Sequence, residues 1–160
     1  MNSRWVLITG ATTGIGYELS KLFAAGKWNL LLNARNEEML MKRKQELKET
    51  YGVEVKTIAL DLSERNAPYQ IREFVQQEKL NVQALVNNAG FGMVGDFAET
   101  DLKTELKMID LNVSALTALC KLFIPELKKS GSGRIMNVAS TAAYLPGPRM
   151  TVYYASKAYA

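Results

Sequence analysis

The residues best suited to chemistry stand near the carboxyl end, in Tyr153-Tyr154-Ala155-Ser156-Lys157. On a helix, Tyr153 and Lys157 are i,i+4 and share one face. A phenol with an unperturbed pKa of about 10 is a poor base at neutral pH, and a nearby ammonium favours the phenolate. Such a pair can move a proton on or off an alcohol oxygen. Taken alone, Tyr-x-x-x-Lys is common by chance, and two ordinary helix residues are its commoner meaning. Ser140 ends an apolar stretch ahead of it, where a hydroxyl can hydrogen-bond a carbonyl oxygen. The chain has no histidine. Ser-His-Asp and Cys-His catalysis and histidine metal sites are therefore excluded, and no metal site is expected.

A second constellation lies near the amino end. Thr9-Gly10-Ala11-Thr12-Thr13-Gly14-Ile15-Gly16 follows the apolar run Trp5-Val6-Leu7-Ile8 and leads into Ile15, Leu19, Leu22 and Phe23 at helical spacing. At a strand-to-helix turn, a dinucleotide's pyrophosphate meets free backbone N–H groups and the positive end of a helix. Gly10 permits the tight turn, Gly14 a close approach of backbone to phosphate, and Gly16 close packing of the helix. Three glycines are a weak signal; the strand–turn–helix context strengthens it. Thr12 and Thr13 can add hydroxyl contacts. Arg35 follows the second apolar run, in Asn33-Ala34-Arg35-Asn36, where an NAD-type site needs a carboxylate for the ribose. A guanidinium there can hold a 2′-phosphate, or it is an ordinary surface arginine. Asp61, in Asp61-Leu62-Ser63, can accept from an adenine amino group or close a turn. Asn87-Asn88-Ala89-Gly90 ends a further apolar run, and its amides can bond neighbouring backbone and a sugar.

The elements that must position these groups alternate. Apolar runs predict strands at 5–8, 28–32, 53–60, 82–86 and 135–138. Helical patterns follow Gly14 and cover 37–51, 68–79 and 101–128, with a helical start after the loop 145–148. Asn36 caps the second helix, with Glu37 and Glu38 in its positive first turn, and Gly52 stops it. Thr100 or Asp101 caps the long helix, and Pro125 is expected to bend it near its end. Strands alternating with helices imply a parallel sheet with right-handed crossovers. The expected fold is α/β: a Rossmann-like doubly wound parallel sheet in three α/β/α layers, forming one domain over 1–160. The glycine turn, Arg35, Asp61, Asn87 to Gly90 and Ser140 all fall at carboxyl ends of strands, where such sheets bind ligands.

The totals narrow the partners. Among 160 residues, 48% are hydrophobic and 22% charged, which suits a folded core rather than disorder. No unbroken apolar run approaches the roughly 20 residues of a membrane span, and Trp5 to Ile8 is too short for a signal-peptide core. One cysteine, Cys120, forbids an internal disulfide and suits a reducing, cytoplasmic setting; it lies in an apolar helical stretch and reads as a core residue. The net charge of +4 is scattered. The run Lys42-Arg43-Lys44, with Glu46 and Glu49, reads as a solvated helix face, and no nucleic-acid partner is expected.

Thr9 to Gly16, Asn87 to Gly90, Ser140 and Tyr153-x-x-x-Lys157 resemble, in order and spacing, the short-chain dehydrogenase/reductase family along the whole chain. The resemblance implies hydride transfer between NAD(P)(H) and a small-molecule carbonyl or alcohol. Tyr153 would be the general acid/base and Ser140 would orient the substrate oxygen. Lys157 would bind the nicotinamide ribose and favour the phenolate. Asn112 would support a water-linked proton relay; without the family it is only a polar helix residue. Ile15, Leu62, Ala89 and Tyr153 itself would also lie beside the cofactor. Arg35 without a carboxylate makes NADP(H) expected over NAD(H), although some NADP-using relatives carry a basic residue in the glycine turn and this chain does not. The family commonly builds subunit interfaces from its long helix and the helix of the Tyr-Lys pair, so a homo-oligomer is expected. Its domain normally continues past the lysine, with further strands and a substrate lid. This sequence stops at Ala160, so the expectation is part of a longer protein, a sheet incomplete at the carboxyl end, and little turnover on its own. The alternative is a dinucleotide-binding regulator without turnover; such a protein would be expected to lose the tyrosine or the lysine.

Overall fold

The fold was obtained as a computed structural model, which describes residues 4–145 and 147–160. Residues 1–3 lie outside these, as does Pro146 of the expected 145–148 loop. Strand β1, Trp5–Thr9, is buried at every position. Apolar side chains on both of its faces place it mid-sheet. Around it lie β2 (Asn29–Ala34), β3 (Val55–Ala59), β4 (Val82–Asn87) and β5 (Arg134–Asn137), in the order β3-β2-β1-β4-β5. Every neighbouring pair is parallel.

The alternation along β1 divides the core in two. Trp5 and Leu7 pack with helices α3 (Ala67–Gln77) and α5 (Leu116–Lys129) through Ile71, Val75, Leu119 and Phe123. Val6 and Ile8 point the other way, toward α1 (Gly14–Ala25) and α2 (Glu37–Tyr51) through Ala24, Leu40 and Leu47. This is the expected three-layer, doubly wound arrangement. Local signals set the helix ends. The Asn36 side chain accepts the Met39 N–H at 2.9 Å, and Gly52 takes the left-handed conformation that stops α2. Asp101 accepts the Thr104 N–H at 2.8 Å and starts α4 (Leu102–Ile109).

The expected long helix is one helical path, but not a uniform one. Between α4 and α5, residues Asp110–Ala115 form a π-helical turn. The chain then stays helical through Pro125 to Lys129, so the irregularity lies at residues 110–115 and not only near the proline. Together these 28 residues are long and apolar enough to cross a membrane by length and composition. Polar residues punctuate this stretch, so it holds no unbroken apolar run. Its Met108, Ala115, Leu119, Phe123 and Leu127 are buried. Cys120 is half-buried on α5, and burial pushes its thiol pKa up. The last helix, α6 (Thr151–Tyr159), packs on α4 and the π turn. Strand bounds shift slightly from expectation: β3 begins at Val55, and Val138 leaves β5 while still donating to the Asn87 carbonyl at 2.9 Å. All four β5 residues are exposed.

Phe123→Ala removes a fully buried ring from the α5 side of the core. A loss of about 3–5 kcal/mol is expected in urea unfolding. Leu22→Ala, at a position 69% exposed, should stay within about 0.5 kcal/mol.

Candidate active site

Two loops leave the sheet side by side, one after β1 and one after β4. The Asn88 side chain donates to the carbonyls of Thr9 (3.0 Å) and Gly10 (3.1 Å). In return the Thr9 hydroxyl accepts the N–H groups of Asn88 and Ala89, both at 3.0 Å, and donates to Val86 O at 3.3 Å. Gly10 has φ +64° and faces Asn88 and Ala89 closely. A Cβ on Gly16 would collide with the Gly10 carbonyl and the Asn88 amide. Gly16 therefore serves packing against the turn and Asn88, more than against the strand itself.

A cleft of about 470 Å³ crosses the carboxyl ends of the sheet. It brings together twelve of the expected site residues: Gly10, Thr12, Thr13, Ile15, Arg35, Asp61, Leu62, Asn88, Ala89, Gly90, Tyr153 and Lys157. Gly14, Gly16, Asn112 and Ser140 are not among its walls. Gly14 opens α1 at φ +54° with open space at its Cβ position. Ser140 sits just past Ala139, which does line the cleft, and its Oγ accepts the Ala142 N–H at 3.1 Å.

Asn112 stands behind the wall and holds it. Its Oδ1 accepts the Phe91 N–H at 3.2 Å, and its Nδ2 donates to Phe91 O at 3.0 Å and Ser156 Oγ at 2.9 Å. Ser156 in turn donates to the Tyr153 carbonyl at 2.8 Å. The nearly buried Lys157 ammonium donates to the Val138 carbonyl at 3.0 Å. Gly90 keeps this corner open: a Cβ there would lie 2.9 Å from Asn112 Oδ1 and 3.4 Å from Lys157 Nζ. Gly92 lies against the Tyr153 ring, where a Cβ would come within 2.8 Å. Tyr154 does not line the cleft; its ring packs against Gly147.

At the other end, Arg35 lies 3.9 Å from Asp61 and is 76% exposed. Asp61 closes a turn as well as lining the cleft, accepting the Ser63 N–H (3.0 Å) and hydroxyl (2.8 Å). Burial by itself would raise the Asp61 pKa. The two Ser63 bonds and the Arg35 guanidinium outweigh burial and hold the carboxyl below its ordinary value. Asn33, Ala34, Asn36, Leu60, Phe91, Leu111, Val138 and Ala139 also line the cleft, none of them an expected site residue. Six of them lie within two residues of a strand's carboxyl end, a position the sheet topology alone marks. Asn87 points elsewhere, donating to Asn137 at 2.9 Å.

Five strands spaced about 4.8 Å apart give a cleft roughly 19 Å across. With a glycine turn at its centre, that span suits an extended dinucleotide. A family model described as short chain dehydrogenase matches residues 4–160. The chain belongs to that family. It is 36% identical over 160 residues to a very-long-chain 3-oxoacyl-CoA reductase of Anas platyrhynchos, covering 97% of this chain and 51% of the relative. It is also 36% identical over 156 residues to sulfoacetaldehyde reductase 2 of Chromohalobacter salexigens, covering 96% and 61%. Thus this short-chain dehydrogenase chain spans about half to three-fifths of the curated relatives it matches. Among solved structures, a short-chain dehydrogenase from Sphingobium yanoikuyae in complex with NADPH superposes with TM-score 0.90 at 31% identity, covering 98% and 60%. L-Sorbose reductase from Gluconobacter frateurii, complexed with NADPH and L-sorbose, gives 0.91 at 28% identity, covering 99% and 60%.

Thr9→Val keeps the shape of a side chain that is 1% exposed but leaves two backbone N–H groups without an acceptor. Urea unfolding should show a loss of about 2–4 kcal/mol, with Thr9→Ser much milder. A loss under about 0.5 kcal/mol would contradict the tie between the two loops.

Proposed function

We propose that this chain carries the NADP(H)-binding and acid–base part of an oxidoreductase that interconverts a carbonyl and an alcohol. The observation that carries the reading is that Tyr153 and Lys157 share one cleft with the glycine turn and Arg35. Bound NADP(H) would supply or accept the hydride. The remaining work falls to the chain. The N–H groups at the start of α1 and the positive end of that helix hold the pyrophosphate. Arg35, exposed and only loosely paired, takes the 2′-phosphate. Tyr153 donates its phenolic proton to the substrate oxygen in reduction and withdraws it in oxidation. Lys157, nearly buried and bonded to the Val138 carbonyl, binds the nicotinamide ribose. Ser140 orients the substrate oxygen, and Asn112 fixes the Phe91 backbone and, through Ser156, the Tyr153 backbone.

The NADPH complexes among similar structures support the cofactor assignment, and the curated relatives named as reductases support the reaction class. A regulator without turnover is the second reading; the presence of both Tyr153 and Lys157 favours the enzyme. Within the proposal, the 160 residues alone turn over little, because α6 has nine residues and β5 is exposed. A homo-oligomer of the working enzyme belongs to the same proposal.

In the longer parent enzyme, Tyr153→Phe should abolish reduction of small ketones and aldehydes while nucleotide affinity stays within about twofold, which marks a proton-transfer role rather than a binding one. Tyr154→Phe should be mild; if it is the more damaging change, the assignment is wrong. Arg35→Ala should remove a roughly ten- to hundredfold preference for NADPH over NADH, since charged hydrogen bonds contribute about 1.5–3 kcal/mol. Equal affinities in the starting protein would overturn the NADP assignment.

A further inference from the structure

Reading Lys42-Arg43-Lys44 as a solvated face fails for Arg43, whose side chain is 19% exposed. Its Nε donates to the Thr12 carbonyl, 31 residues earlier, at 3.0 Å. Its guanidinium lies 4.0 Å over the Tyr17 ring of α1, and one terminal nitrogen meets Glu46 at 2.8 Å. The Tyr17 hydroxyl donates to the same Glu46 oxygen at 2.8 Å. Arg43 thus holds one carbonyl of the glycine turn, backed by Tyr17 and Glu46.

We propose that Arg43 is a positioning residue for the dinucleotide site: it holds the Thr12–Thr13 segment through the Thr12 carbonyl, so nucleotide affinity depends on a side chain that does not line the cleft. The inference rests on the dinucleotide reading above. Gly10 and Gly14, both at positive φ, bracket this segment, and glycine is the most permissive backbone. Between them, the Ala11 N–H bonds Asn33 O at 3.1 Å, and Thr13 O accepts from Tyr17 N at 3.3 Å. Among the described residues, the one bond given to the Thr12 carbonyl comes from Arg43. Thr12 and Thr13 are cleft walls and Arg43 is not. Glu46 neutralises the guanidinium locally, so Arg43 is a poor phosphate anchor. The cluster keeps its charges at neutral pH. The bond from Arg43, then that from Tyr17, holds the Glu46 carboxyl below its ordinary range, and burial followed by Glu46 keeps the Tyr17 phenol protonated. α2 begins just after Arg35, so one helix fixes the glycine turn and the adjoining phosphate-binding segment relative to each other.

The test compares Arg43→Met, which keeps an unbranched stem over Tyr17, and Arg43→Lys, which keeps one donor. Dissociation constants for NADPH and for NADH are measured on the full chain. Backbone order parameters at Thr12 to Gly14 are measured without nucleotide. Arg43→Met should weaken both nucleotides about tenfold, as expected for one lost charged hydrogen bond, with their ratio unchanged. Order parameters should fall from about 0.85 toward about 0.6, and Arg43→Lys should recover part of both effects. Selective loss of NADPH would overturn the proposal, because Arg43 would then be touching the 2′-phosphate. A lowered melting temperature with unchanged affinities and order would overturn it in favour of plain packing. A starting protein that binds neither nucleotide would sink the dinucleotide reading instead. In that case, loss of order at Thr12 to Gly14 in Arg43→Met would still establish the hold on the turn, and unchanged order would refute it.

Discussion

The exchange of hydrogen bonds between Thr9 and Asn88 is the constraint on which the cleft depends. A parallel ladder satisfies backbone groups only while the strands last, and both strands end here. Beyond them, one hydroxyl and one amide satisfy two carbonyls and two N–H groups across the gap. The loops therefore continue the sheet by side-chain means, and their separation is fixed to hydrogen-bond precision. In consequence Gly16 must lack a Cβ, because the Asn88 amide occupies that space. The carbonyls of Thr9 and Gly10 are met from the β4 side, while the Ala11 N–H and the Thr12 carbonyl are met from β2 and α2.

The Tyr153–Lys157 end of the cleft is held by a different device. Asn112 makes three bonds, two to the Phe91 backbone and one to Ser156, which passes the restraint to the Tyr153 carbonyl. Asn112 lies inside the π turn, the one irregular stretch of a 28-residue helical path. π turns within α-helices cluster at functional sites. A buried amide with all its partners made is strongly directional, since misplacing it leaves polar groups unpaired at a cost of about 1–3 kcal/mol each. The Tyr153 backbone is thus tied to a side chain outside the cleft, and Gly90 provides the room for that side chain and for Lys157.

Much of this is legible in the sequence where the signal is local. The strands, the Asn36 cap, the Gly52 stop and the glycine turn each rest on a few neighbouring residues, and each appears where expected. The π turn leaves no trace, because buried positions at 105, 108, 112, 115 and 119 keep ordinary helical spacing across it. Thr9 reads as a β-branched strand residue; its partners lie 79 and 80 positions away. Asn112 gains meaning only through the family resemblance. Arg43 is hidden by its neighbours, since Lys42 and Lys44 make the run look like solvated charge.

The two arginines flanking the glycine turn show why residue type alone does not settle a role. Arg35 is largely exposed, with one carboxylate 3.9 Å away. Exposed pairs at that distance contribute little, so the guanidinium can leave Asp61 at small cost. Arg43 is mostly buried and committed to a carbonyl, a carboxylate and an aromatic face. Withdrawing it would remove the bond to the Thr12 carbonyl and leave Glu46 with the Tyr17 hydroxyl alone, a loss at a part-buried site. A cation meant for a ligand must be cheap to recruit, and one meant as a strut must be costly to move. The same side chain is left exposed at one position and committed eight positions later, because one stands before the first turn of α2 and the other faces α1.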